Sequence, residues 1–336
     1  MTPTIPRRVV LGSSLALGLS VPLVARGQAK YTMKYATNVA LDNPLNMRLT
    51  EAIGRIKAQS NGAVDIQLFP DGQLGSDPDM LAQVRSGALE MMTLSSVILS
   101  TLVPSCAVVG VGFAFSSYDA IWAAMDGELG ARLRSDMGKF GIGGQVRIWD
   151  LAFKNLTSAR RQIRTPEDLR GFKVRVPPGA LWTSLFRAFD AGPTTINMNE
   201  VYTALQTGLV DGTELPLTTF YYAKLYEVQK YIALSRHMWD GWWSLYNRRM
   251  WEGLPEEVRT VISRNLDQSA LDQRADVAKL EQDLVTRLRE KGLTVTEIEQ
   301  KPFRTKLEQV GFYKEWKGRF GPELWGLLEK YTGPIS

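Results

Sequence analysis

The sequence predicts an α/β fold in two domains, and three observations carry that prediction. Strand-like and helix-like segments alternate from Lys30 onward. The chain has 336 residues and is 44% hydrophobic, enough to bury one large core or two medium ones, and its length suggests about two domains. The stretch from Pro255 to Lys291 has no internal Gly or Pro. It reads as one helix about 54 Å long, more than a typical domain is wide, so it is expected to span two domains.

The elements follow in order. Tyr31–Thr37 reads as a strand. Asn43 and Pro44 open a helix whose apolar stripe holds Leu45, Leu49, Ile53 and Ile56 and which closes near Gly62. Val64–Phe69 alternates as a strand and stops at the turn Pro70-Asp71-Gly72. Asp77–Gly87 reads as a helix, and Leu89–Leu94 as a strand running into Ser95-Ser96. Phe172–Val176 is a strand ended by Pro177-Pro178. Glu200–Thr207 is a short helix, with Asn199 placed to cap it and Gly208 to end it. In the long helix, Val258, Ile262, Leu266, Ala270, Leu280, Leu284 and Leu288 recur mostly at spacings of four. No Gly/Ser linker is present, so the chain is expected to cross between the domains more than once. Phe320, Leu324 and Trp325 on the last helices are expected to pack either internally or against another copy.

The N-terminus has the layout of an export signal. Arg7-Arg8 precede an apolar run from Val9 to Ala25, and Gly27-Gln28-Ala29 forms a small-x-small cleavage pattern. The paired arginines allow twin-arginine export as well as the general route. Pro22, two glycines and three serines make the run a poor spanning helix, which needs ~20 predominantly apolar residues. Cleavage near Ala29 and a periplasmic mature protein are expected. Loss of Arg7, Arg8 and Arg26 takes the net charge from +5 to +2. That balance gives no reason to invoke a nucleic-acid or anionic-lipid partner, and no later stretch is long and apolar enough to cross a bilayer. Cys106, the only cysteine, rules out an intrachain disulfide and reads as a small buried hydrophobe.

Catalytic patterns are missing. His237 is the only histidine, no G-x-S-x-G elbow or P-loop occurs, and histidine or thiolate metal clusters are excluded. Gly141-Ile142-Gly143-Gly144 reads as a turn between elements. No catalytic residue, metal or cofactor is expected, and the chain is read as a binding protein rather than an enzyme.

A dense set of motifs stands between residues 157 and 254. It runs Arg164-Thr165-Pro166-Glu167-Asp168-Leu169-Arg170-Gly171, Lys173-Val174-Arg175-Val176-Pro177, then Glu200-Val201-Tyr202-Thr203-Ala204-Leu205-Gln206-Thr207-Gly208-Leu209-Val210-Asp211-Gly212. Tyr226-Glu227-Val228-Gln229-Lys230-Tyr231 and Trp251-Glu252-Gly253-Leu254-Pro255 follow, and Phe69-Pro70-Asp71-Gly72-Gln73-Leu74-Gly75 stands in the N-terminal half. Together these resemble the DctP-like family, the extracytoplasmic solute-binding subunits of TRAP transporters, over nearly the whole mature chain.

The resemblance implies a periplasmic-binding-protein-like clamp of two α/β domains with hinge crossings and the long C-terminal helix spanning both. Domain I would hold residues 30–151 and 241–280, and domain II residues 152–240 and 281–336. The ligand would be a small organic acid, and the partners the small and large membrane subunits. Arg175 falls on the family's strand arginine, whose guanidinium fork suits a substrate carboxylate. Lys154 stands where many relatives carry a second arginine, beside Phe153. Leu215 replaces a ligand-contacting asparagine, and Met198 replaces an aromatic wall residue. In His237-Met238-Trp239-Asp240-Gly241-Trp242-Trp243, Trp239 is the choice for the cleft. Asn38, Ser95 and Ser96 follow strand ends facing it. The combination favours a 2-oxo, 2-hydroxy or aromatic monocarboxylate. A sensor that docks on a receptor, or an exported lyase or hydrolase, uses the same cleft.

Overall fold

A computed structural model describes Met1 and residues 29–335. The export segment expected at 1–29 lies, apart from its end residues, outside the described residues. The strands are β1 (Tyr31–Ala36), β2 (Val64–Phe69), β3 (Met91–Ser95), β4 (Ile142–Gly144), β5 (Trp149–Ser158), β6 (Lys173–Val176), β7 (Gly192–Thr195), β8 (Gly212–Leu215), β9 (Tyr231–Asn247) and β10 (Thr294–Glu297). Their hydrogen-bonded order is β2-β1-β3-β9-β5-β8-β6-β7, with β4 and β10 both pairing with β9.

The two halves of this order repeat one plan. In the first, β2, β1 and β3 run parallel and β9 pairs antiparallel with β3. In the second, β7, β6 and β8 run parallel and β5 pairs antiparallel with β8. The 17-residue β9 and the 10-residue β5 pair antiparallel at the centre. They are therefore the segments that carry the chain from one half to the other. Their register slips between Asp150 and Ala152 and again between Lys154 and Leu156. Ala152 (φ 72°) and Arg236 (φ 42°) sit in the left-handed region, which costs a non-glycine residue energy.

Local rules explain most elements. Helix α1 (Pro44–Gln59) starts where the Asn43 side chain accepts a hydrogen bond from the Leu45 N–H, with Pro at its first position. Helix α2 (Asp77–Ser86) ends at Gly87, whose φ of 85° closes it in the left-handed conformation. Gly208 (φ 71°) ends the short helix Val201–Gln206 in the same way. The expected cap Asn199 is instead inside a 3₁₀ turn, Met198–Glu200, so Glu200 takes the capping position. The glycine run at 141–144 is more than a turn, because Ile142–Gly144 pairs with β9. Gly143 has to lack a side chain there: a Cβ would lie 2.3 Å from the Tyr246 ring.

The long helix spans Glu256–Glu290. Ile262, Leu266 and Ala270 pack into the core around β1, β2 and α1, whereas Leu284 and Leu288 pack into a separate core with Val201, Leu205 and Phe220. At its middle, Gln273 accepts from the Asp150 N–H (2.9 Å) and donates to the Asp150 carbonyl (2.8 Å), which straps the helix to β5 at the crossing. Leu324 and Trp325 are buried and Phe320 packs on them, so the C-terminal apolar residues pack internally. Arg164 and Arg170 are exposed loop charges, and Cys106 is fully buried. No helix among the described residues is long and apolar enough to cross a membrane.

Because one helix belongs to both cores, truncating it in either should weaken the whole molecule. Leu266→Ala and Leu284→Ala are each expected to cost about 2–5 kcal/mol in denaturant unfolding. Each should leave a single cooperative transition; two separated transitions in either variant would contradict the shared-helix account.

Candidate functional site

Parallel strands place ligands beyond their carboxyl ends. Here four such ends converge from the two halves. Asn38 and Val39 follow β1, Ser95 ends β3, Arg175 and Pro177 lie at the end of β6, and Leu215 ends β8. They line a small cavity together with Asp77, Ile98, Leu151, Lys154, Trp182, Met198, Thr219 and Trp242. A larger outer groove adjoins it, sharing Asn38, Val39, Asp77, Met198 and Thr219.

Arg175 is the most distinctive group in the cavity. It is 2% exposed, on a strand paired on both sides. Its one side-chain hydrogen bond among the described residues runs from Nε to the Ile196 carbonyl, 2.9 Å, which fixes the fork and leaves the two terminal nitrogens without a protein acceptor. Burial pulls the guanidinium down to about 10, with Glu214 and Asp77 opposing, so it stays charged at neutral pH.

Lys154 is equally buried but is already engaged. Its Nζ lies 3.6 Å from Glu214 Oε1 and 4.7 Å from the centre of the Trp182 ring. Asp240, which accepts from the Ser95 hydroxyl and from the Gly241 N–H, is pushed up to about 6 by burial against the pull of Lys154. His237 Nε2 lies 3.7 Å from Glu214 Oε2, and its Nδ1 is hydrogen-bonded to Ser235 (2.7 Å). Lys154 is thus charge-balanced by protein carboxylates without a hydrogen bond to them, and Arg175 is the cation whose orientation is fixed, through Nε, with its terminal nitrogens free.

Of the residues singled out from the sequence, Arg175, Lys154, Leu215, Met198, Asn38 and Ser95 line the cavity. Three do not. Trp239 lies on the opposite face of β9: its indole donates to Asp150 Oδ1 (2.9 Å) and its ring packs edge-on against Phe115 and Trp122. The two-residue strand period sends Trp239 and Trp243 into one core and turns Trp242 to the cleft. Phe153 packs against Tyr118, one position out of phase with Lys154. Ser96 accepts from the Trp243 indole (2.9 Å) and is fully enclosed. Asp77, Trp182, Trp242, Leu151 and Thr219 were missed. The spacing of Trp239, Trp242 and Trp243 implies that one of them faces away from the other two, but not which side is the cleft.

This geometry defines a class: an α/β clamp whose cavity is lined by two buried cations, one of them fixed through Nε, with no assembled catalytic set among the described residues. The sequence model of the bacterial extracellular solute-binding protein, family 7 (DctP) matches residues 35–317, and the chain belongs to that family. It is 32% identical over 284 residues to the C4-dicarboxylate-binding periplasmic protein DctP of Rhodobacter capsulatus, covering 84% of each chain. The sugar acid binding protein of Advenella mimigardefordensis, solved with galactonate, superposes with a TM-score of 0.86 at 26% identity, covering 90% of this chain and 98% of that one. A TRAP periplasmic solute-binding protein from Sulfitobacter sp. NAS-14.1, solved with β-D-galacturonate, gives 0.85 at 25% identity over 90% and 100%.

The buried carboxyls set the pH response of the ligand-free protein. Burial pushes Asp77, Asp150 and Asp240 each up to about 6 and Glu281 up to about 7. A carboxyl raised in the fold contributes stability that is complete below its unfolded value and is lost as pH rises through its folded value, here a window from about 4 to about 7. Asp126 acts at lower pH, since despite burial Arg274 and Arg147 hold it below the usual range. The Tm should therefore rise as pH is lowered from about 7.5 to about 5. A Tm that falls over that range would show that these groups are not buried as described.

Proposed function

We propose that this chain captures a small organic carboxylate outside the cytoplasm and delivers it to the small and large membrane subunits of a TRAP transporter. The observation that carries the ligand class is Arg175: a buried guanidinium, fixed through Nε, with its two terminal nitrogens unpaired at a mostly apolar cavity. A carboxylate accepts both donors in parallel, which orients it as well as attracting it. Val39, Ile98, Leu151, Leu215, Met198 and the Trp182 and Trp242 rings supply an apolar body site. The ligands named for the relatives, C4-dicarboxylates, galactonate and galacturonate, share a carboxylate with this proposal.

In this reading the walls belong to two domains, residues 30–151 with 241–280, and residues 152–240 with 281–336. The hinge lies where β5 and β9 slip register at Ala152 and Asp240. Export by the N-terminal segment would place the mature chain in the periplasm. In this reading the cavity groups orient and enclose rather than react: Lys154 lies beside Glu214, and His237 Nδ1 is hydrogen-bonded to Ser235.

A thermal-shift panel of 2-oxo, 2-hydroxy, aromatic and dicarboxylic acids, with neutral amides as controls, tests the ligand class. A true ligand at a hundredfold excess over its Kd should add ~2.7 kcal/mol of stability. Its amide should add none. Removing the guanidinium leaves a desolvated carboxylate unpaired, costing ~3–5 kcal/mol. Arg175→Ala should therefore bind the acid roughly a hundredfold to several-thousandfold more weakly in calorimetric titration. A loss under about fivefold would remove Arg175 from direct contact with the ligand.

A further inference from the structure

Across the cavity from Arg175 stands a carboxylate that the fold itself does not use. Asp77 is the first residue of α2, where an acidic side chain ordinarily caps or complements the helix start. That work is done by its neighbour: Asp79 Oδ2 accepts from the Ser76 N–H (3.0 Å) and the Ser76 hydroxyl (2.6 Å). Asp77 is 3% exposed, and only Oδ2 has a partner, the Asn38 side-chain amide at 2.7 Å. Oδ1 is buried without any hydrogen bond, as is the hydroxyl of Thr219, another residue of the cavity lining. A buried carboxylate oxygen left unpaired is costly, so a donor is required to satisfy it.

The charge pattern points the same way. The charged residues lining the cavity are Lys154, Arg175 and Asp77, with buried Glu214 behind Lys154 and buried Asp240 behind Ser95. A ligand carboxylate on Arg175 brings a further negative charge toward Asp77, which repels it unless the ligand also carries a hydrogen-bond donor. Asp77 lines both the inner cavity and the outer groove, so any ligand held by Arg175 and extending outward passes it.

We propose that Asp77, oriented by Asn38, is the specificity-determining acceptor of this site, selecting acids that carry a hydroxyl or ammonium donor on carbon 2 or 3 over the matching 2-oxo acids. This rests on the carboxylate reading of Arg175 and narrows it. An oxo oxygen only accepts, so facing Asp77 it leaves two acceptors opposed and none satisfied. A donor closes a charge-assisted hydrogen bond on Oδ1.

The test is calorimetric titration of the purified protein with five acids on one carbon skeleton: 2-hydroxyisovalerate, 3-hydroxyisovalerate, valine, 2-oxoisovalerate and isovalerate. At least one donor-bearing acid should bind roughly tenfold to a hundredfold more tightly than 2-oxoisovalerate. Asp77→Asn keeps the side-chain volume and should erase that gap, while isovalerate binds as well or better because a facing negative charge is gone. The wild-type ranking needs no variant, so a poorly folded Asp77→Asn does not rescue the idea. If 2-oxoisovalerate matches or exceeds every donor-bearing acid, and still depends on Arg175, the Asp77 inference is wrong and the carboxylate reading stands. If the gap persists unchanged in folded Asp77→Asn, Asp77 is not the selecting group. If none of the five binds the wild type, the Asp77 inference falls, and the carboxylate reading is decided separately by the thermal-shift panel.

Discussion

A buried guanidinium whose two terminal nitrogens have no protein acceptor is the constraint on which the rest of this structure turns. Burying a charge costs energy unless it is paired and hydrogen-bonded. The fold meets only part of that cost for Arg175, through the Ile196 carbonyl and the distant fields of Glu214 and Asp77. Lys154 has a nearer counter-charge, Glu214 at 3.6 Å, and lies over the Trp182 ring. The two cations differ in that Arg175 has its fork fixed by a hydrogen bond, whereas Lys154 is placed by charge and ring contact alone.

Holding Arg175 in that state takes support from well outside the cavity. β6 is central in its half of the sheet, between β7 and β8, so its backbone cannot shift to expose the side chain. The long helix fastens both halves: Arg48 pairs with Asp276 on the first, Gln273 clamps the Asp150 backbone at the crossing, and Glu281 accepts from Thr218 on the second. Arg274 adds a two-pronged contact to Asp126 near the middle. These bonds hold the halves to one axis and leave the left-handed kinks at Ala152 and Arg236 as the places where the crossing strands depart from regular geometry.

Much of this was legible in the sequence because it rests on local rules. Period-four apolar residues without Gly or Pro gave the helix Glu256–Glu290, and proline and glycine punctuation gave α1, α2 and β2 nearly to the residue. Arg175 was legible through the motif around it, which resembles a known family's strand. The facing of side chains was not. Leu151 and Lys154 both line the cavity although three residues apart on a strand, because the positive φ at Ala152 shifts the alternation between them. The same uncertainty of phase put Trp239 in the cleft on paper where Trp242 stands in fact. Asp77 was hidden for a different reason: next to a serine at a helix start it looks like a cap, and only the side-chain contacts show that Asp79 has taken that role.

The placement of the two polar poles bears on how capture would be signalled. Arg175 and Leu215 come from the second half of the sheet, and Asn38, Asp77 and Ser95 from the first. Unpaired groups on either wall lose little in an open form, where water satisfies them, and lose most when the walls meet around an empty cavity. A ligand that bonds to only one wall would bind open and closed forms alike and would shift nothing, however tightly it bound. One that spends its carboxylate on Arg175 and a donor on the opposite wall satisfies both at once only when the walls are together. Its whole differential affinity then goes into closure. On that logic the cavity needs few hydrogen bonds and an otherwise apolar lining. Selectivity and the closing signal come from the same two contacts, and Val39, Ile98, Leu151, Met198 and Trp242 need only exclude water around them.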